Sequence, residues 1–189
     1  MARKISEDGN LLGRPYPRSP SVVTVHAGGR SNAMAVGAYC HMSTNPPLYG
    51  IAISPKRFSY DLIVRSGEFG INFFPLDAAE LVLAVGDVSG RDVDKFKEFN
   101  LAVDQPIKTS VPLLADAYVA YECKLVDRMT TGDHEWFVGE IVAVHYREEA
   151  FTGDMEIDLD GFKPAIYSKR NIYFSADAGS IRYIKSRRG

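Results

Sequence analysis

The spacing of apolar and polar positions predicts a chain built mainly from β-strands. Residues 117–127 alternate between the two kinds, which is typical of a half-buried strand. One face of this strand carries Tyr121, Cys123 and Leu125, and the other carries Glu122 and Lys124. The turn Thr131-Gly132-Asp133 joins it to a second long strand over 136–146, so the two strands are expected to form a hairpin.

Shorter strands are predicted in the first half of the chain. A β-branched run over residues 22–25 leads into a Gly-Gly turn at 27–30, which indicates another hairpin. Residues 32–44 are predicted to form one strand rich in small side chains, which ends at Asn45-Pro46-Pro47 because proline cannot continue a ladder. Further strands are expected over 48–54, 69–74, 172–174 and 181–183.

Three short helices are predicted between these strands. The first covers residues 58–66, with Leu62 and Ile63 facing inward and Gly67 as its C-terminal cap. The second begins at a capping box, Asp77-Ala78-Ala79-Glu80, and runs to about Val85. The third lies within residues 92–99.

Together these elements predict a mainly β fold in one domain. The length of 189 residues fits a single domain. Many strands with few helices indicate an antiparallel barrel, and the lack of regular strand–helix alternation argues against a doubly wound nucleotide-binding fold. Residues 1–20 contain Pro15, Pro17 and Pro20 and are expected to be an extended lead-in, and residues 171–189 a C-terminal tail.

Charge and hydropathy exclude several classes of protein. The net charge of -2 argues against a nucleic-acid-coating protein, so the basic run Lys185-Ser186-Arg187-Arg188 is interpreted as a solvated tail. No apolar run approaches the ~20 residues of a membrane span, and the N-terminus lacks the apolar segment of a signal peptide. A cytoplasmic protein with no nucleic-acid or membrane partner is therefore expected.

Metal and nucleophile motifs are also missing from the sequence. Cys40 and Cys123 are its 2 cysteines, and without a C-x-x-C pair they predict no zinc, iron–sulfur or disulfide framework; both are expected to be buried. The 4 histidines lack metal-ligand spacing, so no metal site is expected. No G-x-G-x-x-G after a strand, Walker loop or G-x-S-x-G elbow is present.

Five segments resemble, in order, the signature of the flavin reductase-like FMN-binding proteins, which include the flavoredoxins. They are residues 32–36 with 43–48, 58–63 with 67–72, 89–96, 132–141 and 163–167. The resemblance covers residues 20 to 170 and implies an antiparallel, Greek-key-like split β-barrel. It also implies a homodimer with FMN near the subunit interface.

The resemblance assigns the flavin ring to the strand that begins at Asn32. Backbone groups of Asn32, Ala33, Met34, Ala35 and Val36 can bond the polar edge of the ring, and small side chains let a flat ring approach. Asn32 and Ser43 can add polar contacts, and Cys40 rather than His41 is expected to face the cofactor. The alternative is an ordinary buried strand at a crowded crossing. The family often has Thr or Ser at Ala35 and a bulkier residue at Ala38, so one flavin contact is in question.

The FMN phosphate is assigned to the start of the first predicted helix. Lys56, Arg57 and Ser59 lie there, directly after Ser54 at the end of a strand. Helix N-terminal amides together with cations make an anion site. The alternative is a solvated basic turn in which Ser59 caps the helix.

His134 is the predicted catalytic residue, because the family's equivalent histidine lies near the flavin. It could bond the ring or help to seat a nicotinamide, and the alternative is a turn histidine bonded to backbone. Lys95 and Phe96 are predicted to close over the flavin as a lid, and the alternative is a surface helix with one buried aromatic. Trp136 and Tyr146 are assigned to the core or an interface.

These residues predict an FMN-binding oxidoreductase, in the form of an NAD(P)H-dependent flavin, ferric or flavoredoxin-type reductase. FMN is preferred to FAD because one phosphate-like site is present. Expected partners are a second copy of the chain, a nicotinamide or flavin substrate and an electron-transfer protein. Two alternatives stay open: an FMN-binding electron carrier or store without pyridine-nucleotide activity, and a β-barrel that binds no cofactor.

Overall fold

The structure is a computed structural model that describes residues 3–8, 16–169, 171–176, 178–182 and 184. Pro15, Tyr183 and the basic run 185–188 lie outside the described residues. The longer strands are β1 (Ser21–Ala27), β2 (Arg30–Val36), β3 (Tyr39–Ser43), β4 (Leu48–Ile53), β5 (Glu68–Phe73), β8 (Val119–Thr131) and β9 (His134–Tyr146). The short strands are β6 (Val103–Asp104), β7 (Leu113–Leu114), β10 (Ala165–Tyr167) and β11 (Tyr173–Ser175), and the helices are α1 (Phe58–Ser66), α2 (Ala79–Asp87) and α3 (Lys95–Glu98).

The seven longer strands form one antiparallel sheet in the order β2-β1-β5-β8-β9-β4-β3. β5 crosses over to lie between β1 and β8, while β4 pairs with β9, so neighbours in the sheet are often distant along the chain. The two edges approach where β2 runs into β3, and the Ala52 amide donates to the Ala38 carbonyl at 2.8 Å. The mainly β, antiparallel split β-barrel predicted from the sequence is confirmed.

The prediction of one strand over residues 32–44 is wrong, because the chain breaks after Val36 into β2 and β3. Arg18, in the lead-in, contacts the chain at this break. Its guanidinium donates to the Gly37 carbonyl and fills the space beside Gly37, where a Cβ would lie 3.4 Å from Nη1. The break sends β2 and β3 to opposite ends of the sheet order.

The two larger buried clusters of the described residues stabilise the barrel and the helices around it. The barrel interior holds large side chains that include Ile51, Ile63, Phe69, Ile71 and Phe137. The second cluster lies between β2 and α2, and its members are Val22, Ala33, Phe74, Val82, Val85, Leu101, Leu114 and Ala117. Burial of such apolar surface, at about 25 cal/mol per Å², is the main favourable contribution to folding.

Helix α1 follows its prediction, and α2 departs from it. Leu62 and Ile63 are buried, and Gly67 at φ 67° ends α1 with its amide bonded to the Ile63 carbonyl at 2.8 Å. The prediction of a capping box at residues 77–80 is wrong, because a 3₁₀ turn over Leu76–Ala78 precedes α2 and no side chain caps the helix. Residues 92–99 contain the short α3, which Asp94 caps through the Lys97 amide.

Several residues differ from what the sequence predicts for them. Glu122, on the charged face of β8, is fully buried. Cys123 is buried as predicted, which raises the pKa of its thiol to about 12, but Cys40 is exposed on β3. Ile181 and Arg182 do not form the strand predicted over 181–183. Within the described residues no helix is long and apolar enough to cross a membrane.

Candidate functional site

Helix α1 presents an uncapped N-terminus beside two cations. The chain leaves β4 at Ile53 and turns so that the Arg57 amide bonds the Ser54 carbonyl at 2.9 Å. Arg57 is the N-cap residue, but no side chain caps the helix. Across the described part of the chain, the amides of Phe58 and Ser59 find no acceptor. Free amides at the positive end of a helix, with exposed Lys56 and Arg57 next to them, can hold an anion.

Ser59 joins α1 to β2 and does not cap its own helix. Its hydroxyl is fully buried and accepts a hydrogen bond from Asn32 Nδ2 at 2.7 Å. Gly90 packs on the same pair, since a Cβ there would lie 2.1 Å from Asn32 Oδ1. The alternative in which Ser59 caps the helix is therefore wrong, and Asn32 and Ser59 position the start of α1 against the strand.

Two further arginines, Arg30 and Arg91, lie at this end of α1. Their guanidinium carbons are 4.4 and 5.8 Å from the centroid of the Phe58 ring. Sequence reasoning missed them as site residues, although Arg91 stands in one of the recognised segments. The acids that interact with this set include Asp61, 3.7 Å from Arg91, and Asp133, whose pKa is lowered mainly by its hydrogen bond with His134 and also by Lys56. The end of α1 is thus strongly cationic.

Lys95 is a buried helix-capping residue, which does not fit a mobile lid. Its ammonium donates to the Val85 carbonyl at 2.7 Å, in the last turn of α2, where a cation is favoured by the helix dipole. Burial, and then the nearby charge of Arg57, lower the pKa of Lys95 to about 8. Phe96 is half-buried against the second core cluster. The alternative, a short helix with one buried aromatic, is only partly right because Lys95 is buried as well.

Strand β2 is an edge of the sheet and pairs with β1 alone. An edge strand presents unpaired backbone N–H and C=O groups that a planar polar ligand can bond. The small side chains have a second explanation, because Ala33 is buried in the second core cluster and the Ala35 methyl would lie 3.2 Å from a Cβ on Gly86 of α2. Their size lets α2 approach the strand and is not by itself evidence for a ligand. Met34 and Val36 pack on the barrel core instead.

His134 lies at the tip of the β8–β9 hairpin, next to the turn that precedes α1. Ile53 pairs with Glu135, so His134 falls beside Ser54. Its Nδ1 is 2.7 Å from Asp133 Oδ1, which leaves Nε2 free to contact a ligand. Glu135 fixes the tip to α1, since it accepts a hydrogen bond from the Tyr60 hydroxyl at 2.6 Å and lies 3.2 Å from Arg128.

Cys40 and Ser43 lie on β3, away from the α1 end. Cys40 pairs with Gly50, and the pleat places it on the same sheet face as Trp136 and His134. Trp136 and Met42 both pack over Gly50, where a Cβ would lie 3.1 Å from the indole and 2.4 Å from Met42 Sδ. Tyr146 is exposed and contacts Phe151 edge-on. Lys56, Arg57, Ser59, Asn32 and His134 are therefore brought together, whereas Cys40 and Ser43 join them only along the sheet face.

The described part of the chain offers no set of side chains that could ligate a metal ion. No group of three or more His, Cys, Asp or Glu side chains there could hold an ion.

Comparison with known proteins places the fold among solved flavoproteins. The FMN-binding protein from Thermus thermophilus, solved with bound 1-cyclohex-2-enone, superposes with a TM-score of 0.86 at 32% identity. The superposition covers 96% of this chain and 100% of that chain.

Relatives in sequence lead to the same family. An uncharacterised protein of Aeropyrum pernix is 35% identical over 82% of this chain, and the match spans 59% of that protein's length. The FMN reductase (NADH) RutF 2 of Methylorubrum extorquens is 32% identical over 65% of this chain and 69% of its own. The profile of the flavin reductase like domain matches residues 12–174. With the split barrel and these matches together, the chain belongs to the flavin reductase-like domain family.

Proposed function

We propose that the protein binds FMN and uses it to reduce a flavin or another acceptor at the expense of NAD(P)H. Family membership supports an oxidoreductase that works with flavin. Relatives named FMN reductase (NADH) and NADH-dependent FMN reductase support a nicotinamide donor. The site supports the assignment through its charge and its free backbone donors.

The observation that carries the proposal is the uncapped, cationic N-terminus of α1. The amides of Phe58 and Ser59, with Lys56 and Arg57 beside them, supply the donors and positive charge that a phosphate monoester requires. This set of donors and cations suits the phosphate of FMN. The residues present therefore fit the phosphate end of this cofactor.

The ring end of FMN is proposed to lie along the free edge of β2. That strand offers unpaired backbone groups close to the α1 phosphate site, to which it is joined by the Asn32–Ser59 hydrogen bond. Bound FMN would supply the two-electron redox chemistry that this chain's side chains lack. The chain's own residues would bind and orient the cofactor. His134 would present Nε2 as a hydrogen-bonding group at the rim of the site, while the contact with Asp133 fixes the orientation of the imidazole ring.

A homodimer in the cytoplasm is proposed from the resemblance. Apolar side chains on the β8–β9 hairpin support a partner surface, since Val126 and Met129 are 52% and 51% exposed. The second candidate function is an electron carrier without nicotinamide activity. The exposed hairpin tip beside the site would then receive electrons from a protein.

An anaerobic absorbance spectrum of the FMN-loaded protein tests the proposed function. The visible absorbance band of oxidised flavin is expected to bleach when a stoichiometric amount of NADH or NADPH is added. Bleaching by dithionite but by neither nicotinamide would overturn the reductase proposal and support the carrier. Faster bleaching by one nicotinamide identifies the donor.

Substituting His134 is expected to affect reduction more than binding. In His134→Ala, the rate of flavin reduction by NAD(P)H should fall about 10- to 100-fold, which is at or below the lower end of the roughly 10²–10⁴-fold that a proton-transferring group contributes, because His134 lies at the rim of the site. FMN affinity should change less than about threefold, since the phosphate donors stay in place. His26→Ala is the matched control, because His26 bonds Ser31 in the β1–β2 hairpin. Equal rates in the wild type and His134→Ala, measured by stopped flow, would leave His134 as a turn residue.

A further inference from the structure

Two arginines from distant parts of the chain lie against one phenyl ring beside the α1 phosphate site. Arg30 begins β2, after the Gly28-Gly29 turn, and Arg91 lies in the loop between α2 and α3. Their guanidinium carbons are 4.4 and 5.8 Å from the centroid of the Phe58 ring. Three separate segments thus place two guanidiniums within about 6 Å of the centre of one phenyl ring.

Both guanidiniums are held by backbone carbonyls. Arg30 Nη2 donates to the Gly90 carbonyl at 2.6 Å, and Arg91 Nη1 donates to the Lys56 carbonyl at 2.8 Å. Gly90 itself is packed so tightly on Phe58 that a Cβ would lie 2.8 Å from the ring. Long side chains anchored in this way lose little further conformational entropy when a ligand binds.

The positive charge of the pair is poorly compensated by the protein. Arg91 is 3.7 Å from Asp61, but both side chains are about half exposed, at 48% and 53%, and such pairs contribute little. Arg30 has no carboxylate within ion-pair distance among the described residues. Two like charges around one ring repel each other unless an anion joins them.

In the proposed function the FMN phosphate is assigned to α1, Lys56 and Arg57, which leaves Arg30 and Arg91 without an assigned ligand. We propose that Arg30 and Arg91 form a second phosphate site, which takes a phosphate of the dinucleotide that binds beside FMN. Guanidiniums bind phosphate oxygens in a bidentate fashion, which suits a pyrophosphate or a ribose 2′-phosphate. Because Arg91 bonds the Lys56 carbonyl, the two phosphate positions are adjacent. The inference rests on the proposed function and adds the recognition of its substrate.

Calorimetric titration of the FMN-loaded protein with unreactive fragments tests the pair. ADP-ribose and 2′-phospho-ADP-ribose are the probes, so the readout does not depend on electron transfer. In Arg30→Ala/Arg91→Ala, affinity for at least one probe should fall tenfold or more, while FMN affinity changes less than twofold. Arg30→Lys/Arg91→Lys keeps the charge without the planar fork and should show an intermediate loss. Arg65→Ala, in the last turn of α1, is the control for an exposed arginine.

The pattern of losses identifies the phosphate. A loss for both probes assigns the pyrophosphate, and a loss for 2′-phospho-ADP-ribose alone assigns the 2′-phosphate. A loss of FAD affinity with neither probe affected would overturn the proposal, because the arginines would then hold the adenylate phosphate of a flavin that replaces FMN. A parallel loss of FMN affinity, or no change for any of these ligands, overturns the second site. Failure of NAD(P)H to reduce the flavin would instead count against the proposed function, because the fragments report binding alone.

Discussion

Replacing Lys56 and Arg57 together by alanine is expected to weaken FMN binding about 100-fold. Each cation next to the α1 N-terminus can form a charge-assisted hydrogen bond to the phosphate, worth about 1.5–3 kcal/mol, and about 1.4 kcal/mol corresponds to a tenfold change in affinity. Exposure of both side chains reduces the sum towards the lower end of this range. Titration of FMN fluorescence with the apoprotein measures the effect.

Riboflavin provides the control ligand for this experiment, because it has the ring and no phosphate. Its affinity should be the same in the wild type and in Lys56→Ala/Arg57→Ala. A matched variant, Arg65→Ala/Lys124→Ala, removes two exposed cations that lie away from the α1 N-terminus and should bind FMN normally. An equal loss of riboflavin and FMN would mean that the variant disturbs the ring site, and the phosphate would have to be assigned elsewhere.

Substituting Glu122 is expected to cause the largest loss of stability, without an effect on FMN affinity. Its carboxylate is fully buried in β8 and accepts hydrogen bonds from the amides of Ile107, Lys108 and Thr109 at 2.7–2.9 Å. The Thr109 hydroxyl at 2.8 Å and His145 Nε2 at 2.7 Å complete the set. Glu122 thereby ties the loop before β7 to the barrel.

The expected loss for Glu122→Gln is about 3 kcal/mol of unfolding free energy, because buried donors are left without their charged acceptor. For a chain of this size that corresponds to a fall in Tm of about 6–12 °C. Glu149→Gln, an exposed glutamate, is the control and should unfold like the wild type. An unchanged Tm in Glu122→Gln, followed by circular dichroism, would show that the hydrogen-bonded loop contributes little.

The lowered pKa of the Glu122 carboxylate predicts how the stability of the fold depends on pH. Burial would raise the pKa of Glu122, but the hydrogen bonds from Ile107, His145, Lys108 and Thr109 outweigh it and lower the pKa to about 2. A carboxyl with a folded-state pKa below its unfolded value of 4.5 stabilises the fold fully above that value. The contribution is lost as pH falls from about 4.5 towards 2. Unfolding at a series of pH values should therefore show a steeper acid loss in the wild type than in Glu122→Gln, and parallel curves would contradict this.

Local sequence signals were sufficient to predict those elements whose structure depends on their own residues. The apolar spacing and Gly67 define α1, and alternation with a Gly-Asp turn defines the β8–β9 hairpin. The break after Val36 could not be predicted in this way, because the contact that Arg18 makes with Gly37 at the break joins residues 19 positions apart. Glu122 resembles a surface residue in sequence, since its partners at 107–109 come together only in the fold.

The candidate site also contains residues that local sequence signals identify and residues that only the fold brings together. Lys56, Arg57 and Ser59 could be found from sequence because they are neighbours at a helix start. The pairing of Arg30 and Arg91 over Phe58 needs three segments to meet, so no single motif shows it. Lys95 could not be recognised as a helix cap, because its acceptor, the Val85 carbonyl, belongs to a different helix.

Titration of the purified apoprotein with FMN tests the central claim most directly. We expect saturation at one FMN per chain, with affinity about 100-fold or more higher for FMN than for riboflavin because of the α1 phosphate site. Absence of saturable FMN binding, or equal affinity for FMN and riboflavin, would contradict it.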